Sequence, residues 1–118
     1  MITSMQLSII IPCKNESGVV NHLLDDLVAQ RRQAPYQVIV VDSQSTDDTI
    51  KQAKTYRPRL PIITTSAQKK GVAEARNWGR RQATGDMLLF LDADCRLSPD
   101  FIEKFMKFHQ RAGAAQCG

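Results

Sequence analysis

Apolar residues in this chain fall into short dense blocks, separated by polar stretches in which apolar positions recur at helical spacing. Four blocks read as strands: Leu7–Ile11, Gln37–Val41, the weaker Leu60–Thr64, and Asp86–Leu91. Their near-continuous Val, Ile and Leu content is that of strands covered on both faces. Between the first two, Val19, Val20, Leu23, Leu24, Leu27 and Val28 keep helical spacing, with Ser17 placed to cap the helix. Ser45-Thr46-Asp47-Asp48 predicts the cap of a second helix reaching about Tyr56, with its acids at the positive end of the dipole. A third helix is expected from near Gly71 to Gly85, where a glycine suits the left-handed C′ position. A fourth follows Ser98-Pro99 and turns Phe101, Ile102, Phe105, Met106 and Phe108 toward the core. This alternation predicts an α/β fold, a three-layer sandwich with a mostly parallel sheet between helices. With no repeat, linker or low-complexity segment, residues 1–118 read as a single domain.

Composition adds little to that picture and excludes several alternatives. At 42% hydrophobic and 24% charged the chain is ordinary for a globular protein. No apolar run is long enough to span a bilayer, and the first residues lack the basic stretch of a signal peptide. The net charge of +4 raises nucleic acid as a partner, but the basic residues come as scattered pairs, Arg31-Arg32, Lys69-Lys70 and Arg80-Arg81. Sparse aromatics do not alternate with them, so no base-stacking surface is expected. Three cysteines, Cys13, Cys95 and Cys117, lack metal-type spacing. Reduced thiols and a cytoplasmic location are the expectation.

Candidate chemistry gathers where strands end. Open α/β sheets bind ligands beyond the carboxyl ends of their strands, and all four ends here run into polar segments. They are Pro12-Cys-Lys-Asn-Glu-Ser17, Asp42-Ser-Gln-Ser-Thr-Asp-Asp48, Thr65-Ser-Ala-Gln-Lys-Lys-Gly71 and Asp92-Ala-Asp-Cys-Arg96. Asp92 and Asp94 are one residue apart, and in extended chain such side chains share a face. Carboxylates without nearby His or Cys suit a hard ion, Mg²⁺ or Mn²⁺, with a diphosphate completing its shell. Three strand-terminal acids, Asp42, Asp92 and Asp94, would repel one another on one rim without a cation. Blander roles compete elsewhere: Asp47, Asp48, Ser45 and Thr46 as helix caps, Arg76 as a solvated or paired side chain, Glu16 as a helix-start acid, and Trp78 as helix packing. His22 and His109 read as surface or satisfied residues of helices.

Four segments, Ile9-Ile-Ile-Pro-Cys-Lys-Asn-Glu16, Val40-Val-Asp-Ser-Gln-Ser-Thr-Asp-Asp-Thr49, Lys70-Gly71 with Ala75-Arg-Asn-Trp-Gly79, and Leu89-Phe-Leu-Asp-Ala-Asp94, resemble in order and spacing the family 2 inverting glycosyltransferases of GT-A fold. The resemblance covers nearly the whole chain. It implies strand order 3-2-1-4 and a UDP-sugar or GDP-sugar lying across the loops with a divalent ion, Mn²⁺ or Mg²⁺, on its diphosphate. Carried to this chain, Pro12, Lys14 and Glu16 would wall the base and ribose, and Asp42 would bond the base edge with Arg76 nearby. Asp92 would reach the ribose or the metal, and Asp94 would be the main metal ligand. Lys69 and Lys70 are expected near the diphosphate on their charge alone.

Two departures qualify the resemblance. Ser43 stands where many relatives carry a second acid. The chain also ends at Ala114-Ala-Gln-Cys-Gly118, where a fifth strand is expected to begin, ahead of the family's acceptor half and catalytic base. The expectation is a donor-binding half, incomplete at its C-terminus, inactive in transfer by itself and self-associating through an uncovered strand edge. The intact protein would act on a saccharide or lipid acceptor, at the inner face of a membrane in the lipid case. A non-catalytic nucleotide-binding or interaction module is the alternative. A receiver-like signalling domain is a weaker one, since its acids should follow the first strand. The glycine signatures of a dinucleotide fold and of a P-loop are absent, as is the glycine-rich basic loop of a sugar-nucleotidyltransferase.

Overall fold

The computed structural model describes residues 6–31 and 36–112. Its elements alternate: β1 (Leu7–Cys13), α1 (Val20–Val28), β2 (Tyr36–Asp42), α2 (Thr49–Lys54), β3 (Ile62–Ser66), α3 (Val72–Gln82), β4 (Met87–Phe90) and α4 (Phe101–Ala112). The strands form one sheet in the order β3-β2-β1-β4, and every pairing is parallel. The expected three-layer α/β architecture and strand order are those observed.

Two apolar clusters explain the layers. Side chains along a strand alternate between faces, and β1 is buried on both. Leu7, Ile9 and Ile11 join Val38, Val40 and Leu89 beneath Leu23, Leu24 and Leu27 of α1 and Ile102 and Met106 of α4. Full burial of each such side chain contributes about 1.5–3 kcal/mol. On the opposite face Ile10, Ile39 and Val41 meet Ala67 and Ala75, with Trp78, Leu88 and Phe90 partly buried around them. There α3 approaches closely because Gly79 has no side chain: a Cβ would lie 2.5 Å from Ile10 Cγ2 and 2.9 Å from Val41 Cγ2.

Several expectations need correction. Ser17 does not cap α1; Val19 holds that position without a side-chain bond, and the Ser17 N–H donates to Asp47 Oδ2. Ser45 and Thr46 do not cap α2 but reach across to Asn15. Asp47 does cap, accepting the Thr49 N–H at 3.1 Å and the Thr49 hydroxyl, whereas Asp48 makes no side-chain cap bond. The third helix stops at Gln82 and Gly85 is not left-handed. Glycine is needed there because a Cβ would meet Ser8 Oγ at 2.7 Å and Gln6 O at 2.9 Å. β3 starts two residues later than expected, because Pro61 has no N–H for the ladder; Leu60 is buried ahead of it. Phe108 is 54% exposed rather than core. Arg32, Cys117 and the expected start of a fifth strand lie outside the described residues, and so does the side chain of His109.

Among the described residues no helix is long and apolar enough to cross a membrane. β4 forms one edge of the described sheet, the edge on which the expectation of self-association rests.

Candidate functional site

β1 and β2 finish level, since Cys13 pairs with Asp42, and β4 ends beside Ile10 on the other flank of β1. The loops after β1 and β4 are therefore neighbours at the carboxyl edge of the sheet, the crevice where such folds bind ligands. A cleft of about 370 Å³ opens there. Pro12, Cys13, Lys14 and Glu16 line it from the β1 loop and Ser43 from the β2 loop. Gly71, Val72 and Ala75 form the α3 wall, and Asp92, Ala93 and Asp94 come from beyond β4. Gly71 opens α3 at φ 109°, backbone that a side chain would strain.

The sequence-based candidates divide. Pro12, Lys14, Glu16, Asp92 and Asp94 all line the cleft. Asp42 and Arg76 stand outside that lining. Asp42 Oδ1 accepts the Ser45 N–H at 3.1 Å, and Arg76 reaches across to Asp92, Nη2 to Oδ1 3.5 Å. Lys69 and Lys70 are outside it as well. Lys69 instead borders a smaller hollow of about 190 Å³ with Gln68, Glu74, Asn77, Trp78 and Arg81. Trp78 is a packing residue whose Nε1–H donates to Thr65 Oγ1 at 2.7 Å. Sequence reasoning missed Ser43, Gly71, Val72, Ala75 and Ala93 as lining. Small and apolar residues carry no chemical signature, and only the glycine before α3 hinted at a wall there.

Asp92 and Asp94 share the cleft by a different route from the one expected. The strand ends at Phe90 and the chain turns, the Cys95 N–H closing on Asp92 O at 3.0 Å. Leu91 and Ala93 are buried beneath while both acids are exposed. The exit of this turn is tied to α1: Arg96 Nε meets Asp26 Oδ2 at 2.8 Å, and the Leu97 N–H donates to the same oxygen at 2.9 Å. Those bonds, the one from Arg96 foremost, hold the Asp26 carboxyl below its ordinary range.

Charge in the cleft is concentrated and negative. Glu16 is pushed above the usual carboxylate range by burial, then by the charges of Asp94, Asp47 and Asp92. The Cys13 thiol is pushed up to about 12, chiefly by burial and further by Glu16, Asp42 and Asp47. At neutral pH the metal-free thiol is protonated. Among the described residues no three His, Cys, Asp or Glu side chains converge to cage an ion by themselves. An oxygen-only pair of exposed carboxylates does fit a hard cation that takes its remaining ligands from a bound anion and water. Beneath the cleft, Ser43 Oγ is buried without a hydrogen-bond partner.

Comparison with known proteins agrees with this geometry. Residues 8–118 match Glycosyl transferase family 2. The chain is 33% identical to the uncharacterized glycosyltransferase YfnE of Bacillus subtilis over 107 residues, 90% of this chain and 27% of that protein. Among solved structures it superposes with a TM-score of 0.82 and 29% identity on TarS 1-349 of S. aureus in complex with UDP, covering 90% of this chain and 32% of that one. It superposes with a TM-score of 0.83 and 27% identity on the mannosyltransferase PcManGT of Pyrobaculum calidifontis in complex with GDP-Man and Mn²⁺, covering 93% and 34%. The chain thus spans about a third or less of the length of these relatives.

Proposed function

The chain belongs to glycosyl transferase family 2, and from that premise we propose that its cleft binds a nucleotide-diphospho-sugar together with a divalent cation, for transfer of the sugar to an acceptor hydroxyl with inversion. UDP-sugars and GDP-sugars are the donors considered, since the relatives named above were solved with UDP and with GDP-Man. The observation that carries the reading is the placement of Asp92 and Asp94 together with Glu16 on the lining of one cleft.

In this reading Asp94 is the main protein ligand of the ion and Asp92 turns between the ion and the donor's ribose. Pro12 with the backbone around Lys14 and Glu16 forms the wall against base and ribose. Asp42, whose Oδ1 is already bonded to the loop, offers its carboxylate to an N–H on the base edge. Arg76 leaves Asp92 and lies beside the base. Bound Mn²⁺ or Mg²⁺ would stabilise the charge that develops on the leaving diphosphate. Inversion also needs a general base within reach of the acceptor hydroxyl, whether of a saccharide or a lipid. No lining residue is assigned that role, so we expect this chain by itself to bind donor without transferring sugar.

Calorimetric titration with UDP and with GDP, each with and without Mn²⁺ or Mg²⁺, tests the reading. Binding of one nucleotide is expected only with metal and is lost in a folded Asp94→Ala variant. Binding indifferent to metal would favour the non-catalytic module.

A further inference from the structure

Lys14 and Glu16 line the cleft, and the residue between them does not. Asn15 has a left-handed backbone, φ 52°, a conformation that few residues other than glycine accept as readily as asparagine. Its side chain turns to the β2 loop, where Oδ1 accepts the Thr46 N–H at 2.8 Å and the Thr46 hydroxyl at 3.4 Å. The Asn15 N–H in turn donates to Ser45 Oγ at 2.9 Å. The next three N–H groups also bond to side chains of the segment after β2. Glu16 donates to Thr49 Oγ1 at 2.9 Å, Ser17 to Asp47 Oδ2 at 3.2 Å and Gly18 to Gln52 Oε1 at 2.8 Å. Four consecutive donors of one loop are thus read by side chains of the β2–α2 loop and of α2. Asn15 alone among these four residues returns a bond from its own side chain. Ser45 in turn is held by Asp42, so the clasp continues to the strand end.

We propose that Asn15 is a positioning residue of the cleft: by clasping Thr46 in a left-handed turn it holds Lys14 and Glu16 on the lining, level with Asp42. Its effect on nucleotide affinity rests on the donor-site reading above; the clasp itself does not. A loop preset this way need not be ordered when ligand arrives, and loss of the preset geometry appears as weaker binding.

Three variants separate positioning from general stability. Asn15→Gly keeps the left-handed turn and removes the clasp. Asn15→Asp keeps both the turn and the acceptor. Ile102→Val trims the buried core under α4. Amide hydrogen exchange at Thr46 and Glu16 is measured first, then the affinity for whichever of UDP and GDP the wild type binds with Mn²⁺. Asn15→Gly is expected to exchange about tenfold faster at Thr46 and to bind nucleotide about 5- to 10-fold more weakly. Asn15→Asp should keep Thr46 exchange within about twofold of wild type, while Ile102→Val lowers Tm and changes neither exchange nor affinity. Unchanged protection of Thr46 in Asn15→Gly overturns the clasp, and unchanged affinity with lost protection overturns its role in the cleft. If the wild type binds neither nucleotide, the donor reading fails, and the exchange measurement still decides the clasp.

Discussion

The two faces of the sheet are built differently, and the cleft draws one wall from each. Under α1, α2 and α4 lies a continuous core of Leu, Ile, Val and Met side chains. Buried Gln30 stitches it further, donating to Ser98 O at 2.8 Å and accepting the Ile102 N–H at 2.9 Å. The acid turn belongs to this face, since Leu91 and Ala93 are part of its core and Asp26 of α1 holds Arg96 and Leu97. Under α3 the buried set is small, and the helix contributes only Ala75 and Gly79 to it. The wall made by Gly71, Val72 and Ala75 belongs to this thinner face. Deep packing thus fixes the carboxylates, while the opposite wall rides on a helix held by a few small residues. In the proposed reading, carboxylates anchored by the deep face stand opposite a wall carried by α3, which meets the sheet through Ala75 and Gly79.

The largest expected effect is a loss of stability on the deep face. Leu24 is fully buried, and Leu24→Ala should lower unfolding free energy by about 2–5 kcal/mol in urea melts. Where that variant remains folded, nucleotide affinity should fall with the loosened core beneath Asp92 and Asp94; full affinity in a destabilised variant would show that this core does not fix the carboxylates.

Asp26→Asn comes next, at about 1–3 kcal/mol, because Arg96 and the Leu97 N–H lose a charged acceptor. The sign of its pH dependence follows from the lowered carboxyl. Its stabilisation is present above the unfolded carboxylate value of about 3.9 and is lost as pH falls through the lower folded value. Urea midpoints measured from pH 6 to pH 3 should therefore fall more steeply for wild type than for Asp26→Asn. Parallel curves would mean that this carboxylate does not anchor the acid turn.

On the thin face, Gly79→Ala sets a helix-propensity gain of about 1 kcal/mol against overpacking of about 1–3 kcal/mol. A net loss of up to about 2 kcal/mol is expected from the clash with Ile10 and Val41. The displaced wall should also weaken nucleotide binding several-fold. A more stable variant with unchanged affinity would show that α3 yields without moving Val72 and Ala75.

What the sequence made legible follows the same division. Continuous Val, Ile and Leu in Ile9–Ile11 and Val38–Val41 could only be strands covered on both faces, and the helical spacing of Leu23, Leu24 and Leu27 pointed α1 at them. Strand order came from the resemblance, because periodicity says nothing of which strands are neighbours. Loop roles were misread where a polar side chain serves a distant segment. Ser45 and Thr46 have the chemistry of caps but bond to Asn15, and Gly85 has the look of a helix stop but makes room for Ser8. Asp92 and Asp94 were legible as a pair, although their common face arises from a turn rather than from strand alternation. Asp42 and Arg76 were legible as rim residues; their bonds to Ser45 and Asp92 depend on loop geometry that no local pattern encodes.

In the proposed reading a metal–diphosphate sits between the acid turn and the β1 loop. Paramagnetic broadening of backbone amide signals by substoichiometric Mn²⁺ with UDP or GDP tests it most directly, because it locates the ion without requiring turnover. Loss of signal is expected to centre on residues 92–95 and to extend to 13–16 and 71–75, and to be abolished in Asp94→Ala. Broadening centred elsewhere, or unchanged in that variant, would contradict it.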